Sequence, residues 1–364
     1  MIELPKKLRV AVLGATGMVG QRFLALLEHH PWFDVTLVAA SGRSAGLSYA
    51  EAVHDRWALP SPLPPSFASL PVADASSVSQ IADEVDFVFC AVDMPKDAIA
   101  RLEEAYAKAE TPVISNTSAH RTTPDVPMII PEVNPEHANV IPDQRKRLGT
   151  TRGFIAVKPN CSVQSYVPAI HPLMDFRPRH VVVSTYQAIS GAGKTFESWP
   201  EMQDNVIPFI AGEEEKSEQE PRKIWGRLAH GVIVPSAQPV ISAQCIRIPV
   251  TDGHLATVFV AFEKRPCREE ILARWRNGTS LPQRLGLPTA PCPWLTYFEQ
   301  DARPQTRLDR DLGKGMGISV GRLRTDSIFD IRFVALSHNT VRGAAGGAVL
   351  TAEWLTHEGY ITAK

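Results

Sequence analysis

Residues 8–13 (LRVAVL) form a continuous apolar run that stops at Gly14, and an apolar pattern of helical period follows from Met18 to about Glu28. Further apolar runs lie at 35–40 (VTLVAA), 85–92 (VDFVFCAV) and 112–115 (PVIS), with a helical pattern at about 96–109 before the last. Short apolar runs bounded by turn residues and alternating with helices predict a doubly wound parallel sheet covered on both faces. After about residue 150 the texture changes. Runs at 153–158, 179–189, 239–250, 254–263, 316–324 and 327–337 are longer and often alternate apolar with polar. That alternation predicts a mainly antiparallel sheet with one covered face. Helical patterns at about 162–174, 213–229 and 267–276 supply the cover. The Gly/Ala-rich stretch 341–358 predicts a last helix that packs back on the first domain. The expected fold is therefore α/β, divided into a first domain of 1–159 plus 341–364 and an α+β domain of 160–340.

Composition narrows the class. The 364 residues carry 38 Lys+Arg against 39 Asp+Glu, a formal net charge of −1, which argues against a nucleic-acid or membrane-surface protein. With 44% hydrophobic and 21% charged residues, neither a disordered nor a fibrous chain fits. Five cysteines (Cys90, Cys161, Cys245, Cys267, Cys292) form no CxxC pair, so neither a zinc knuckle nor any other metal site is expected. An odd, unpatterned set predicts reduced thiols in a reducing compartment, hence a cytoplasmic protein. The start, MIELPKKLRVAVLGATG, has charges at Glu3, Lys6, Lys7 and Arg9 and too short an apolar run for a leader or a membrane span.

Two places carry chemistry. Gly14-Ala15-Thr16-Gly17-Met18-Val19-Gly20 gives GxxGxxG between the first strand and the first helix. Glycines there permit a tight turn and close approach of a pyrophosphate to the helix N-terminus, a Rossmann-like arrangement. A plain strand-to-helix turn is the alternative. At the end of the second strand an NAD enzyme places an acid on the ribose 2′-hydroxyl, whereas this chain has Ala40-Ser41-Gly42-Arg43-Ser44. A hydroxyl and a guanidinium suit a 2′-phosphate, which favours NADP; a solvated loop arginine is the bland account.

Cys161 lies in Lys158-Pro159-Asn160-Cys161-Ser162, at a strand end and a helix start, where unpaired helix N–H groups are expected to stabilise a thiolate. Cys90, inside VFCAV, reads instead as a buried small hydrophobe. His254, in Thr251-Asp252-Gly253-His254, is a candidate acid/base partner among eleven histidines. Arg247, in CIRIPV, can clamp a carboxylate or simply line a strand face.

The motifs GATGMVGQRF, SGRSAG, SNTSAHR, NCS, TYQAISGAG, GEEEK, RIPVTDGH, RPQTRLDR, VGRLR and SHNTVRGAAGG occur in this order from Gly14 to the C-terminus. Together they resemble the aspartate-semialdehyde dehydrogenase family, in its archaeal and fungal branch, over nearly the whole chain. The resemblance implies NADPH-dependent reductive dephosphorylation of L-aspartyl 4-phosphate to L-aspartate 4-semialdehyde, in the biosynthesis of lysine, threonine, methionine and isoleucine. It makes Cys161 the nucleophile that forms a thioacyl enzyme, His254 the acid/base and Gln187 the residue that orients the intermediate. It assigns Arg247 to the substrate α-carboxylate, Arg121, Lys216 and Asn160 to phosphate, and Glu214 to the amino group. For NADP it adds Ser190, Gly191 and Gly193 as a second glycine loop, and Asn339 as the nicotinamide-amide contact, to Gly14, Thr16, Gly17, Met18, Val19, Gly20, Ser41, Arg43 and Ser44. It also implies a homodimer or homotetramer.

Without the resemblance, Glu213–Glu215 would read as an acid run at a helix start. The chain departs from the family after NCS, where Val163-Gln164-Ser165 replaces a common Thr, and at Lys158, which receives no role. One rival is malonyl-CoA reductase, which shares the thioacyl chemistry and endings like HNTVRGAAGG. GEEEK speaks against it, because malonate has no amino group. A non-catalytic NADP-binding sensor is the rival of another class, and the presence of both Cys161 and His254 speaks against that.

Overall fold

The computed structural model describes residues 6–364, so the first five residues of the start read above as leader-free, Glu3 among them, lie outside it. Six strands build a parallel sheet: β1 Leu8–Leu13, β2 Phe33–Ala40, β3 Val72–Asp74, β4 Phe87–Cys90, β5 Val113–Ser115 and β6 Ile155–Val157. Their order is β3-β2-β1-β4-β5-β6, so the chain reverses direction of winding between β1 and β4. Ligands of open parallel sheets bind outside the strand ends at such a switch point. The run at 153–158 thus belongs to the first sheet, not the second, with Ile155 opposite Val113. Its three strand residues are buried on both faces, which is the signature of a parallel interior strand rather than an alternating one. β3 escaped the sequence pattern because it is only three residues long.

The second sheet holds β7 Pro178–Gln187, β10 Val240–Arg247, β11 His254–Phe262, β12 Leu295–Phe298, β13 Ile318–Thr325 and β14 Ile331–Ser337, in the order β10-β7-β11-β14-β13-β12. It is mixed. β7/β11, β11/β14 and β13/β14 run antiparallel, while β10/β7 and β12/β13 run parallel. Burial along β11 alternates residue by residue, as a one-face-covered strand requires. In a small hairpin of β8 Arg227–Ala229 and β9 Val232–Val234, the first strand occupies residues expected to be helical. The preceding helix stops at Ile224, before Gly226, whose added Cβ would lie 2.6 Å from the Val234 carbonyl oxygen.

Two helices fix the relation of the sheets to the site. The Val163–Ile170 helix is buried at every residue and packs on β11, β13 and β14. The Gly346–His357 helix, buried from Gly346 to Thr356, packs on the Met18–Leu27 helix and on β5. A helix apolar on all sides has to lie inside the molecule. Among the described residues no helix is long and apolar enough to cross a membrane.

Candidate active site

The nucleophile loop runs from the end of β6 to the Val163–Ile170 helix. Asn160 shapes it: its side-chain oxygen accepts from the Ser162 N–H at 2.8 Å and from the Ser162 hydroxyl at 2.7 Å. Cys161 is partly exposed, and its Sγ lies 3.3 Å from Nε2 of His254. His254 opens β11 and is fully buried. The Ala188 backbone N–H donates to its Nδ1 at 3.1 Å. With Nδ1 an acceptor, the neutral ring carries its proton on Nε2 and presents an N–H to the sulfur. Burial, reinforced by the charge of Arg247, pushes His254 well below its ordinary value, so the ring is neutral near pH 7.

The thiol moves the other way. Burial pushes Cys161 up to about 11, and Glu213 adds to the rise, while Lys158, Arg121 and Arg247 pull it down. Burial therefore favours the thiol, against the thiolate expected at the helix start.

Around this pair stands a ring of polar side chains. Gln187 ends β7 and its amide donates to Glu213 Oε2 at 3.3 Å. The Glu213 Oε1 accepts from Asn160 Nδ2 at 2.9 Å and from Lys216 Nζ at 2.8 Å. Arg247 ends β10, buried, with one Nη donating to the Ala188 carbonyl at 2.7 Å. Arg121 donates to Glu220 Oε1 at 2.9 Å, to the Asn116 carbonyl at 3.1 Å and to the Thr117 carbonyl at 3.1 Å. Arg121, Lys216 and Glu220 line a cavity of about 430 Å³.

One choice made from the sequence is corrected here. The carboxylate in this ring is that of Glu213, not Glu214, whose Oε1 accepts instead from the Cys245 N–H of β10 at 3.2 Å. Glu213, Ser217, Glu220 and Ile224 are among the buried residues of the Glu213–Ile224 helix. That spacing of three and four residues was readable in the sequence as a polar stripe and would have selected both Glu213 and Glu220. Glu220, which also accepts from the Asn160 N–H, was missed for want of that step.

A second cleft, of about 500 Å³, opens at the switch point and is lined by Gly14, Thr16, Gly17, Ser41, Arg43, Arg56, Ala91 and Val92, among others. Gly14 has φ +80°, and a Cβ there would lie 2.4 Å from the Ala91 carbonyl oxygen; a Cβ at Gly20 would lie 2.2 Å from that of Gly14. Only glycine closes such a turn, which delivers the N-terminus of the Met18–Leu27 helix, with Met18 and Val19 in its first turn, to the cleft. Arg43 and Arg56 both face it, and Ser44, buried, accepts from Arg56 at 3.4 Å. A dinucleotide with a 2′-phosphate fits this set.

The remaining expected cofactor residues lie beside His254. The Ser190 hydroxyl donates to Asp252 Oδ1 at 2.7 Å and accepts from Asn339 Nδ2 at 2.8 Å, and Asn339 Oδ1 accepts from the Gly253 N–H at 2.8 Å. A Cβ at Gly191 would lie 3.1 Å from His254 Nε2 and 3.0 Å from an Arg247 Nη. Gly193, with φ +67°, closes that loop.

Comparison with known proteins agrees with this geometry. Residues 9–141 match the family model described as "Semialdehyde dehydrogenase, NAD binding domain", and residues 170–342 match "Semialdehyde dehydrogenase, dimerisation domain". The chain is 42% identical to the aspartate-semialdehyde dehydrogenase of Aspergillus fumigatus, over 99% of this chain and 100% of that one. It is 43% identical to that of Methanothermobacter thermautotrophicus, over 94% of this chain and 97% of the relative. Among solved structures, the aspartate semialdehyde dehydrogenase of Candida albicans with NADP superposes with a TM-score of 0.87 at 36% identity, over 98% of this chain and all of that one.

Proposed function

The chain belongs to the aspartate-semialdehyde dehydrogenase family, and from that premise we propose that it reduces L-aspartyl 4-phosphate to L-aspartate 4-semialdehyde with NADPH, through a thioacyl intermediate on Cys161. The observation that carries this reading is the thiol–imidazole pair with Arg121, Lys216 and Arg247 as cations and Glu213 as a carboxylate around it. The substrate has the matching charges: a phosphate and an α-carboxylate for the cations, an ammonium for the acid.

The Cys161 thiol gives up its S–H proton to solvent and the sulfur attacks the acyl carbon; the carbon–sulfur bond forms and the bond to phosphate oxygen breaks, with Arg121, Lys216 and Asn160 receiving the departing charge. His254 donates its Nε2–H toward the oxyanion and the sulfur, and Gln187 orients the acyl group. NADPH would be held by the Gly14–Gly20 turn, Ser41, Arg43, Ser44, the Ser190–Gly193 loop and Asn339 and would supply hydride chemistry; the carbon–sulfur bond then has to break, freeing the aldehyde and returning the Cys161 sulfur. Arg247 holds the α-carboxylate throughout. Glu213 takes the role at the amino group first given to Glu214. The same reading makes the protein a cytoplasmic homo-oligomer, a dimer or tetramer built through the second sheet, which a light-scattering mass will resolve.

The deciding assay follows phosphate-dependent NADP reduction with aspartate semialdehyde beside NADPH oxidation with malonyl-CoA. Turnover is expected only in the first and is expected to vanish in Cys161→Ser. Turnover of malonyl-CoA alone, or a fully active serine variant, would sink the reading. NADPH binding without any turnover would favour a sensor.

A further inference from the structure

Lys158 lies one turn of the loop before Cys161 and is 2% exposed. Its Nζ donates to two backbone carbonyls, those of Pro159 and Gly343. Both flank the nucleophile. Pro159 is two residues upstream, and Gly343 packs so closely on Cys161 that a Cβ there would lie 2.8 Å from the cysteine Cβ. The lysine stem passes Gly347, where an added Cβ would lie 3.4 Å from Lys158 Cδ. Among the described residues no carboxylate lies within 4.0 Å of Nζ. The charged and titratable groups that face it are Arg121 and Arg342, which repel the ammonium, and Cys161 and Glu220, which attract it. Glu220 already binds Arg121 and the Asn160 N–H.

An ammonium buried without a carboxylate partner costs folding free energy, so the fold by itself gives no reason for it. We propose that Lys158 is the counter-ion of the Cys161 thiolate, a positioning residue set behind the nucleophile that acts through the sulfur and touches neither substrate nor cofactor. This rests on the reading of Cys161 as nucleophile. When the thiol ionises, the S–H bond breaks and its proton leaves to solvent, and the thiolate left behind is balanced by the buried cation. Burial brings Lys158 down to about 7, and Cys161 is the group that raises it most against that burial. His254 cannot serve as that cation, since burial pushes it well below its ordinary value and keeps the ring neutral.

The test is the pH dependence of iodoacetamide alkylation at Cys161, followed by mass spectrometry of its peptide so that exposed Cys267 and Cys292 do not interfere. Lys158→Met and Lys158→Gln should remain folded, with the Cys161 midpoint raised by one pH unit or more and alkylation at neutral pH slowed about tenfold. Lys158→Arg should keep most of the native profile. Unchanged midpoints in the folded uncharged variants would overturn the proposal and leave Lys158 as a tether of two carbonyls. So would failure of both variants to fold, because a counter-ion is dispensable for folding. Alkylation does not depend on turnover, so these results are separate from the fate of Cys161→Ser in the activity assay.

Discussion

Cys161 and His254 meet at 3.3 Å, yet burial drives each away from its charged form: the thiol up, the imidazole down. The reactive ion pair is therefore not the resting state, and charges around the site have to supply the thiolate. Single residues were legible in the sequence where chemistry restricts the choice. Cys161 stood out from Cys90 because Asn and Ser flank it at a turn. Glu213 was indistinguishable from Glu214 because adjacent acids share composition and differ only in the direction the helix gives them. Arg43, on the cofactor cleft, was readable as the replacement of an acid. Arg43→Ala should weaken NADPH binding by about tenfold to a hundredfold, as loss of a charge-assisted contact implies, and leave NADH nearly unchanged. Equal weakening of both, measured by fluorescence titration, would remove the 2′-phosphate assignment.

At the scale of elements, long periodic segments were readable and short ones were not. β1 and the Lys96–Lys108 helix lie where the apolar pattern put them. β6 went to the wrong sheet and β8 was taken for the end of a helix, because three-residue strands carry no period. The turn Val341–Ala345 shows what an element adds to a residue. It breaks regular helix at Ala344, with φ −142° and ψ −107°, and brings the Gly343 backbone against Cys161. Gly343→Ala has to displace the cysteine, since the new Cβ would stand 2.8 Å from that of Cys161. Turnover is expected to fall by about a hundredfold, the scale of an ångström's misplacement in an active site, with the NADPH dissociation constant kept. Undiminished turnover would mean that the turn yields instead of the nucleophile.

Across the whole molecule, one buried ion pair ties the C-terminal segment to both the first sheet's loops and the nucleophile helix. Arg342 donates through both Nη atoms to Glu132, with one contact at 2.8 Å, and through Nε to Gln164 Oε1 at 3.2 Å. Arg342 is 1% exposed. Arg342→Leu strands the Glu132 carboxylate in the interior, and a loss of about 3–5 kcal/mol is expected in denaturant unfolding. Replacing Glu132 by Leu as well should restore much of it. If the single variant unfolds at the native denaturant midpoint, solvent reaches Glu132 and the coupling assigned to this pair is absent.

The sequence by itself determined the parallel sheet with its glycine turn, the thiol and imidazole, and the cationic residues that suit an acidic substrate. These are local: hydrophobic period, turn chemistry and residue type act over a few neighbouring positions. Only the tertiary structure decided which carboxylate faces the thiol, which imidazole nitrogen carries the proton, and that Lys158 is buried beside the nucleophile without an acid to pair with. Those facts depend on groups tens to hundreds of residues apart in the chain. Cys161 and His254 are separated by 93 residues, and Lys158 and Gly343 by 185. Desolvation and charge at such contacts exist only once the chain has closed around them.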